Sequence, residues 1–191
     1  MKNPTLIVAL AFCVAIGPTA AGLAAGPYAG QEKRAVSTLS DDDAADLLAG
    51  RGWGLAKPAE LNGYPGPRHV LDLAGELGLN DAQKNAVAAI YRKMLTAARQ
   101  AGPRYVAAER ALDEAFRSGR ADPAVVAARL AEAGRLRDRL REIHLVAHLE
   151  TAPVLSADQR RHYQMLRGYG DDAGHGHSGQ GHKGQGHGQG H

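Results

Sequence analysis

The 191-residue chain carries 23 Lys and Arg against 20 Asp and Glu, a formal charge of +3, with acids and bases interleaved rather than grouped. That balance excludes the concentrated positive face of a nucleic-acid binder. A single cysteine leaves no internal disulfide, and 5% aromatic content, with Ala, Leu, Arg and Glu dominating the middle of the chain, predicts an all-α fold.

Met1, Lys2 and Asn3 precede an apolar run over residues 6–16 and a small-residue stretch over 17–26. A charged start, a short apolar run and small residues beyond it describe a secretory signal, since a membrane-spanning helix needs about 20 apolar residues. Residues 1–25 are therefore expected to be a signal peptide, with Ala24 or Ala25 the last residue removed and no stable membrane anchor left behind. Cys13 lies inside the run, and Phe12 puts a bulky ring where a lipoprotein signal requires a small residue. Processing would leave no thiol, which excludes thiolate metal sites and a Cys nucleophile.

Residues 26–66 read as a leader, exposed over 26–39, with one short helix and a Gly/Pro-rich loop. Ser40 followed by Asp41, Asp42 and Asp43 marks that helix start, because carboxylates suit the positive end of a helix, and Gly50 marks its stop. The loop from Gly52 to Pro67 carries too many Gly and Pro for more than one turn, near residues 59–61. From Pro67, the spacing of Val70, Leu71, Leu73, Ala74 and Leu77 predicts a further helix ending at Gly78.

Two strings then match each other, Leu79-Asn80-Asp81-Ala82-Gln83 and Leu155-Ser156-Ala157-Asp158-Gln159. Each offers a capping side chain with Gln three residues on, so both mark helix starts closed by a capping box. A strict hydrophobic staple is not available, because Lys84 and Arg160 follow the Gln residues.

Between them the apolar spacing is helical. Val87, Ile90, Tyr91, Met94, Leu95 and Ala98 lead to Gly102-Pro103, a pair that must bend or break the helix, and Tyr105, Ala108, Leu112, Ala115 and Phe116 follow it. Asp122-Pro123 opens a second arm with a stripe of Val126, Leu130, Ala133, Leu136, Leu140, Ile143 and Ala147. The result is a long antiparallel helical hairpin with short flanking helices, the last over residues 157–166. The folded domain is expected over residues 67–168 and a disordered His/Gly-rich tail over 169–191. Arg135, Arg137, Arg139 and Arg141 read as a solvated face.

Over residues 71–167 this pattern resembles the LTxxQ superfamily of bacterial periplasmic stress proteins, which includes Spy- and CpxP-like chaperones, zinc-associated ZraP-like proteins and CnrX-like heavy-metal sensors. Asn80 and Ser156 stand where the family has Thr, a change that preserves the capping role. The resemblance implies a non-enzymatic periplasmic protein, typically a curved helical homodimer. Such a protein holds unfolding envelope proteins without ATP, or senses or buffers metal. Leu79, Asn80, Gln83, Leu155, Ser156 and Gln159 serve capping and packing in that scheme, not catalysis.

The chemistry-bearing residues are histidines. His175, His177, His182, His187 and His191 are threaded through Gly, Gln, Ser and one Lys, an arrangement whose imidazoles suit Zn, Ni, Cu or Co better than Mg or Ca. A solvating low-complexity tail is the competing reading. His144 and His148, spaced i, i+4, share one helix face at the border of the apolar stripe, neither deep in the core nor fully solvated. They fit either a metal pair or helix-end residues favoured by the negative end of the dipole. A third ligand would have to come from Glu109, Glu114, Glu150, His162 or a partner chain. His69 and His162 stand alone and read as ordinary surface or packing residues.

No nucleophile elbow, phosphate loop or H-E-x-x-H motif occurs, so the chain reads as no enzyme. A holdase would need an exposed apolar patch, for which Ile90, Met94, Leu112, Phe116, Leu136 and Leu140 are candidates that core packing also claims.

Overall fold

The computed structural model describes residues 25–169. Residues 1–24, read above as signal peptide, and the tail histidines His175, His177, His182, His187 and His191 lie outside the described residues. Six α-helices follow in order: α1 (Asp41–Ala49), α2 (Lys57–Glu60), α3 (Pro67–Asp72), α4 (Asp81–Arg117), α5 (Pro123–Thr151) and α6 (Ala157–Leu166). Among the described residues the fold is all-α, with one isolated bridge between Val36 and Leu39, and no helix is long and apolar enough to cross a membrane.

The hairpin of α4 and α5 organises everything else. Val87, Met94, Ala98, Ala101, Tyr105 and Ala108 are buried on α4 at steps of three, four and seven. From Met94 onward this face meets the stripe Ala133, Leu136, Leu140, Ile143 and Ala147 of α5. Met94, Leu136 and Leu140 are therefore core and Ile90 packs against it, while Phe116 stays 60% exposed and Leu112 half-buried. The α5 stripe is shorter than its spacing suggests. None of residues 123–132 is buried, and Leu130 is 53% exposed, because the tip of the hairpin is only two helices thick.

Gly102-Pro103 does not break α4, which runs unbroken through Pro103. The missing Pro103 amide costs one intrahelical bond, but the flanking turns are held by buried Ala98, Ala101, Tyr105 and Val106. Gly102 has a different use. A Cβ there would lie 2.0 Å from the Leu47 carbonyl oxygen, so its absence lets the end of α1 seat directly on α4.

The expectation of an exposed leader over 26–39 fails at its end. Val36 and Leu39 are each 3% exposed and join the hairpin core with Leu47 and Leu55. Polar pins hold them there: Ser37 donates its amide and hydroxyl to Asp113 Oδ2 at 2.8 and 2.9 Å, and Thr38 Oγ1 donates to Glu109 Oε2 at 2.8 Å. Trp53, whose Nε1 donates to Asp43 Oδ1 at 2.7 Å, packs its ring against Tyr105.

The open end of the hairpin is closed by a second apolar cluster of Val70, Leu77, Leu79, Val87, Leu155 and Tyr163. Both matching strings form the expected capping boxes, Asn80 with Gln83 and Ser156 with Gln159, and their leucines enter this cluster. Ser40 and Asp43 form a third box at the start of α1.

Candidate metal centre

His144 and His148 lie one turn apart on α5 and are 3% and 9% exposed, so both are buried, not at the edge of the core as their position on the stripe suggested. The cover is supplied by the stretch between α2 and α3, both of which pack on α5. Pro65, Gly66 and Pro67 are all buried, the two prolines limiting the backbone freedom of the connection. Gly66 is required by the close approach, since a Cβ would meet His148 Cε1 at 2.9 Å and Nε2 at 3.0 Å.

This connection also sets the chemistry of His148. Its Nδ1 lies 2.7 Å from the Tyr64 carbonyl oxygen. A carbonyl only accepts, so Nδ1 carries a proton, and in the neutral ring the lone pair falls on Nε2. His144 Nε2 is buried without a hydrogen-bond partner among the described residues. Burial, reinforced by the neighbouring His148, drives the His144 pKa down to about 4, which keeps its imidazole neutral near pH 7.

Glu60, at the end of α2, completes a buried polar group. Its Oε1 accepts from Tyr163 Oη at 2.6 Å and from Arg167 Nε at 3.1 Å, while Oε2 has no hydrogen-bond partner and lies 3.7 Å from His148 Nδ1. The carboxyl thus stands beside the protonated nitrogen, where it steadies the ring rather than sharing an ion with Nε2. Burial and the bond to Glu60 push the Tyr163 phenol well above its ordinary range, so Tyr163 stays a donor.

Two cavities of about 470 and 570 Å³ share His69, His144 and His148 in their walls. The first also meets Arg51, Arg68 and Arg99; the second meets Glu60, Lys57, Arg167 and Tyr169. Burial, and then the charge of Arg167, lower the His69 pKa, adding to His144 a second imidazole biased toward its neutral form. Neutral imidazole nitrogens beside an oxygen donor suit Zn, Cu, Ni or Co. Nevertheless, among the described residues no three His, Cys, Asp or Glu side chains converge closely enough to hold a metal ion.

The third ligands expected from sequence are engaged elsewhere. Glu109 accepts from Thr38, Glu114 faces Arg120 at 3.9 Å, Glu150 accepts from Lys93 Nζ at 2.6 Å, and His162 is exposed on α6. None of them lines either cavity. Glu60, Gly66 and the participation of His69 escaped the sequence reading; the clue was the rigid Pro65-Gly66-Pro67 link beside two acid or imidazole side chains. None of the family models, curated proteins and solved structures compared with the chain gives a significant match.

Proposed function

We propose that this protein is a non-enzymatic, metal-binding stress protein of the bacterial periplasm, of the LTxxQ type. It takes up Zn, Ni, Cu or Co through His144 and His148 in its body and through the histidines of its tail. One observation carries this reading: the Nε2 of buried His144, without a hydrogen-bond partner among the described residues, lies one turn from His148, whose Nδ1 is engaged by Tyr64, and both rings line the same two cavities. Two largely buried imidazoles, that of His144 held neutral and that of His148 with a carboxyl beside it, favour a borderline divalent cation over a structural role alone. The N-terminal charged, apolar and small-residue pattern supports export, and the paired Leu-x-x-x-Gln strings support the family.

The test is metal titration of the full chain, of a chain ended after Ala173, and of His144→Ala/His148→Ala. Truncation is expected to remove the tail's share of bound metal and the double substitution to remove a further site. Absence of uptake of all four metals at micromolar concentration would end the proposal.

A holdase activity is the second reading, favoured by apolar side chains left exposed on the hairpin, Phe116 and Leu130 near the tip and Leu149 nearer the base. Suppression of client aggregation without ATP is the expected result. It should weaken in Phe116→Ser/Leu130→Ser, and failure of the full chain to suppress aggregation with or without Zn overturns this reading.

A further inference from the structure

We propose that the 470 Å³ cavity binds a small organic anion, its carboxylate or phosphate head held by Arg51, Arg68 and Arg99 and its apolar body laid on α4. Such a ligand is independent of any metal. Three guanidiniums line this cavity, Asp72 is the one carboxylate in its wall, and Asp46, the partner of Arg51, does not line it. Burial biases the imidazoles of His69 and His144 toward neutrality, so the charge of the cavity is set by its arginines. Arginine keeps its proton in proteins, which leaves positive charge in excess here, in a chain whose acids and bases otherwise nearly balance.

Each arginine is held by its Nε and has terminal nitrogens to spare. Gly50, at φ +73°, ends α1 in a left-handed turn closed by the Arg51 amide, which donates to the Asp46 carbonyl at 2.9 Å. Arg51 Nε donates to Asp46 Oδ1. The same turn packs on the stem of Arg99, since a Cβ on Gly50 would stand 3.1 Å from Arg99 Cγ, and Arg99 Nε donates to the Ala49 carbonyl at 3.2 Å. Arg68 Nε donates to both Asp72 oxygens at 2.9 and 3.0 Å, and its Nη1 to the Tyr91 hydroxyl at 3.5 Å. Among the described residues, both terminal nitrogens of Arg51 and Arg99, and Nη2 of Arg68, make no hydrogen bond. A guanidinium fixed through Nε presents its other N–H groups as a preformed fork for two oxygens. Apolar surface completes the wall: Met94 is buried, and Tyr91 and Leu95 are half-buried. A cavity of 470 Å³ is larger than a bare oxyanion fills and falls in the range of small organic ligands.

The test is calorimetric titration of the metal-free full chain at about pH 8, where exposed histidines are uncharged, with phenyl phosphate, benzoate and the uncharged benzyl alcohol. One of the two anions is expected to bind at a single site per chain, the tighter identifying the head, and benzyl alcohol not to bind. Inorganic phosphate and acetate, which carry the heads without the ring, should bind at least about fivefold more weakly than their aromatic counterparts. Arg51→Gln and Arg99→Gln should each weaken the tighter anion by about tenfold or more. Arg99→Lys, which keeps the charge and loses the fork, should weaken it as well. Arg129→Gln, an exposed arginine of α5 outside the cavity wall, should leave affinity within about twofold. Absence of binding of both aromatic anions at millimolar concentration overturns the proposal. Equal weakening by Arg129→Gln does so too, since it would mean diffuse attraction by surface charge, and so does benzyl alcohol binding as tightly as the anions. Equal affinity for the heads alone would remove the apolar body from the ligand. With no metal in the cell, none of these outcomes bears on the metal reading.

Discussion

Gln83 and Gln159 hold each other's side-chain amides: Gln83 Nε2 donates to Gln159 Oε1 at 2.8 Å, and Gln159 Nε2 donates back to Gln83 Oε1 at 3.2 Å. The second donor of each amide reaches a carbonyl, Val154 for Gln83 at 3.0 Å and Leu77 for Gln159 at 3.2 Å. Each oxygen also accepts from its own N-cap amide, Asn80 at 3.2 Å and Ser156 at 2.9 Å. An amide side chain offers two donors and two acceptors, so both are fully used. The repeated string is therefore one device in two halves, tying the start of α4 to the start of α6 at the open end of the hairpin.

Gln83→Ala and Gln159→Ala should each cost about 1 to 3 kcal/mol, because each strands a carbonyl and the partner amide. The double variant should cost less than the sum, with a coupling of about 1 kcal/mol measured by urea unfolding. Asn80→Thr should lie within about 0.5 kcal/mol of the parent, since Thr also caps. Strict additivity of the two Gln variants would refute the reciprocal pair.

Most of the fold was legible because it is written in local signals. The capping strings, Asp122-Pro123 and the 3.6-residue spacing place the ends of α4, α5 and α6. The site was half legible. His144 and His148 stand out through their spacing, but their burial depends on a roof that has no periodicity, and Glu60 is brought to Tyr163 across 103 residues of chain. Val36 and Leu39 were obscured for the same reason: two apolar residues in a polar stretch carry no pattern, and their place is set by the distant Asp113 and Glu109.

Gly102→Ala tests the contact between α1 and α4 through the sign of its effect. In a free helix interior the change stabilises by about 0.5 to 1 kcal/mol. Here the added Cβ would meet the Leu47 carbonyl oxygen at 2.0 Å and its carbon at 2.8 Å, backbone atoms that cannot rotate away. A net loss of about 1 to 3 kcal/mol is expected, with faster proteolysis in the loop after Gly50. Stabilisation would mean that α1 does not sit on Gly102.

Tyr163→Phe removes the shortest bond to Glu60 while leaving the ring in its apolar cluster. Arg167 still donates to the same oxygen, so the loss should be about 1 to 2 kcal/mol. Glu60→Ala should cost more, because it strands the buried Tyr163 hydroxyl and frees the Arg167 side chain together. Equal costs for the two variants in thermal unfolding would show that Tyr163 and Glu60 do not act through each other.

His144 predicts how metal-free protein responds to acid. Burial lowers its pKa from 6.5 to about 4 in the folded state, whereas the unfolded chain takes up a proton near 6.5. The unfolded state therefore binds more protons between those values, and stability must fall as pH drops through that window. The loss from this residue levels off below about pH 4, where both states are protonated, after a total of up to about 3 kcal/mol. Burial of His69 acts in the same direction, so the isolating measurement is the difference in urea midpoint between the parent and His144→Gln from pH 7 to pH 4, with chelator present. The parent should lose stability faster across the window. Parallel curves would mean that His144 is protonated in the fold, which would deny it both its burial and its lone pair for a metal.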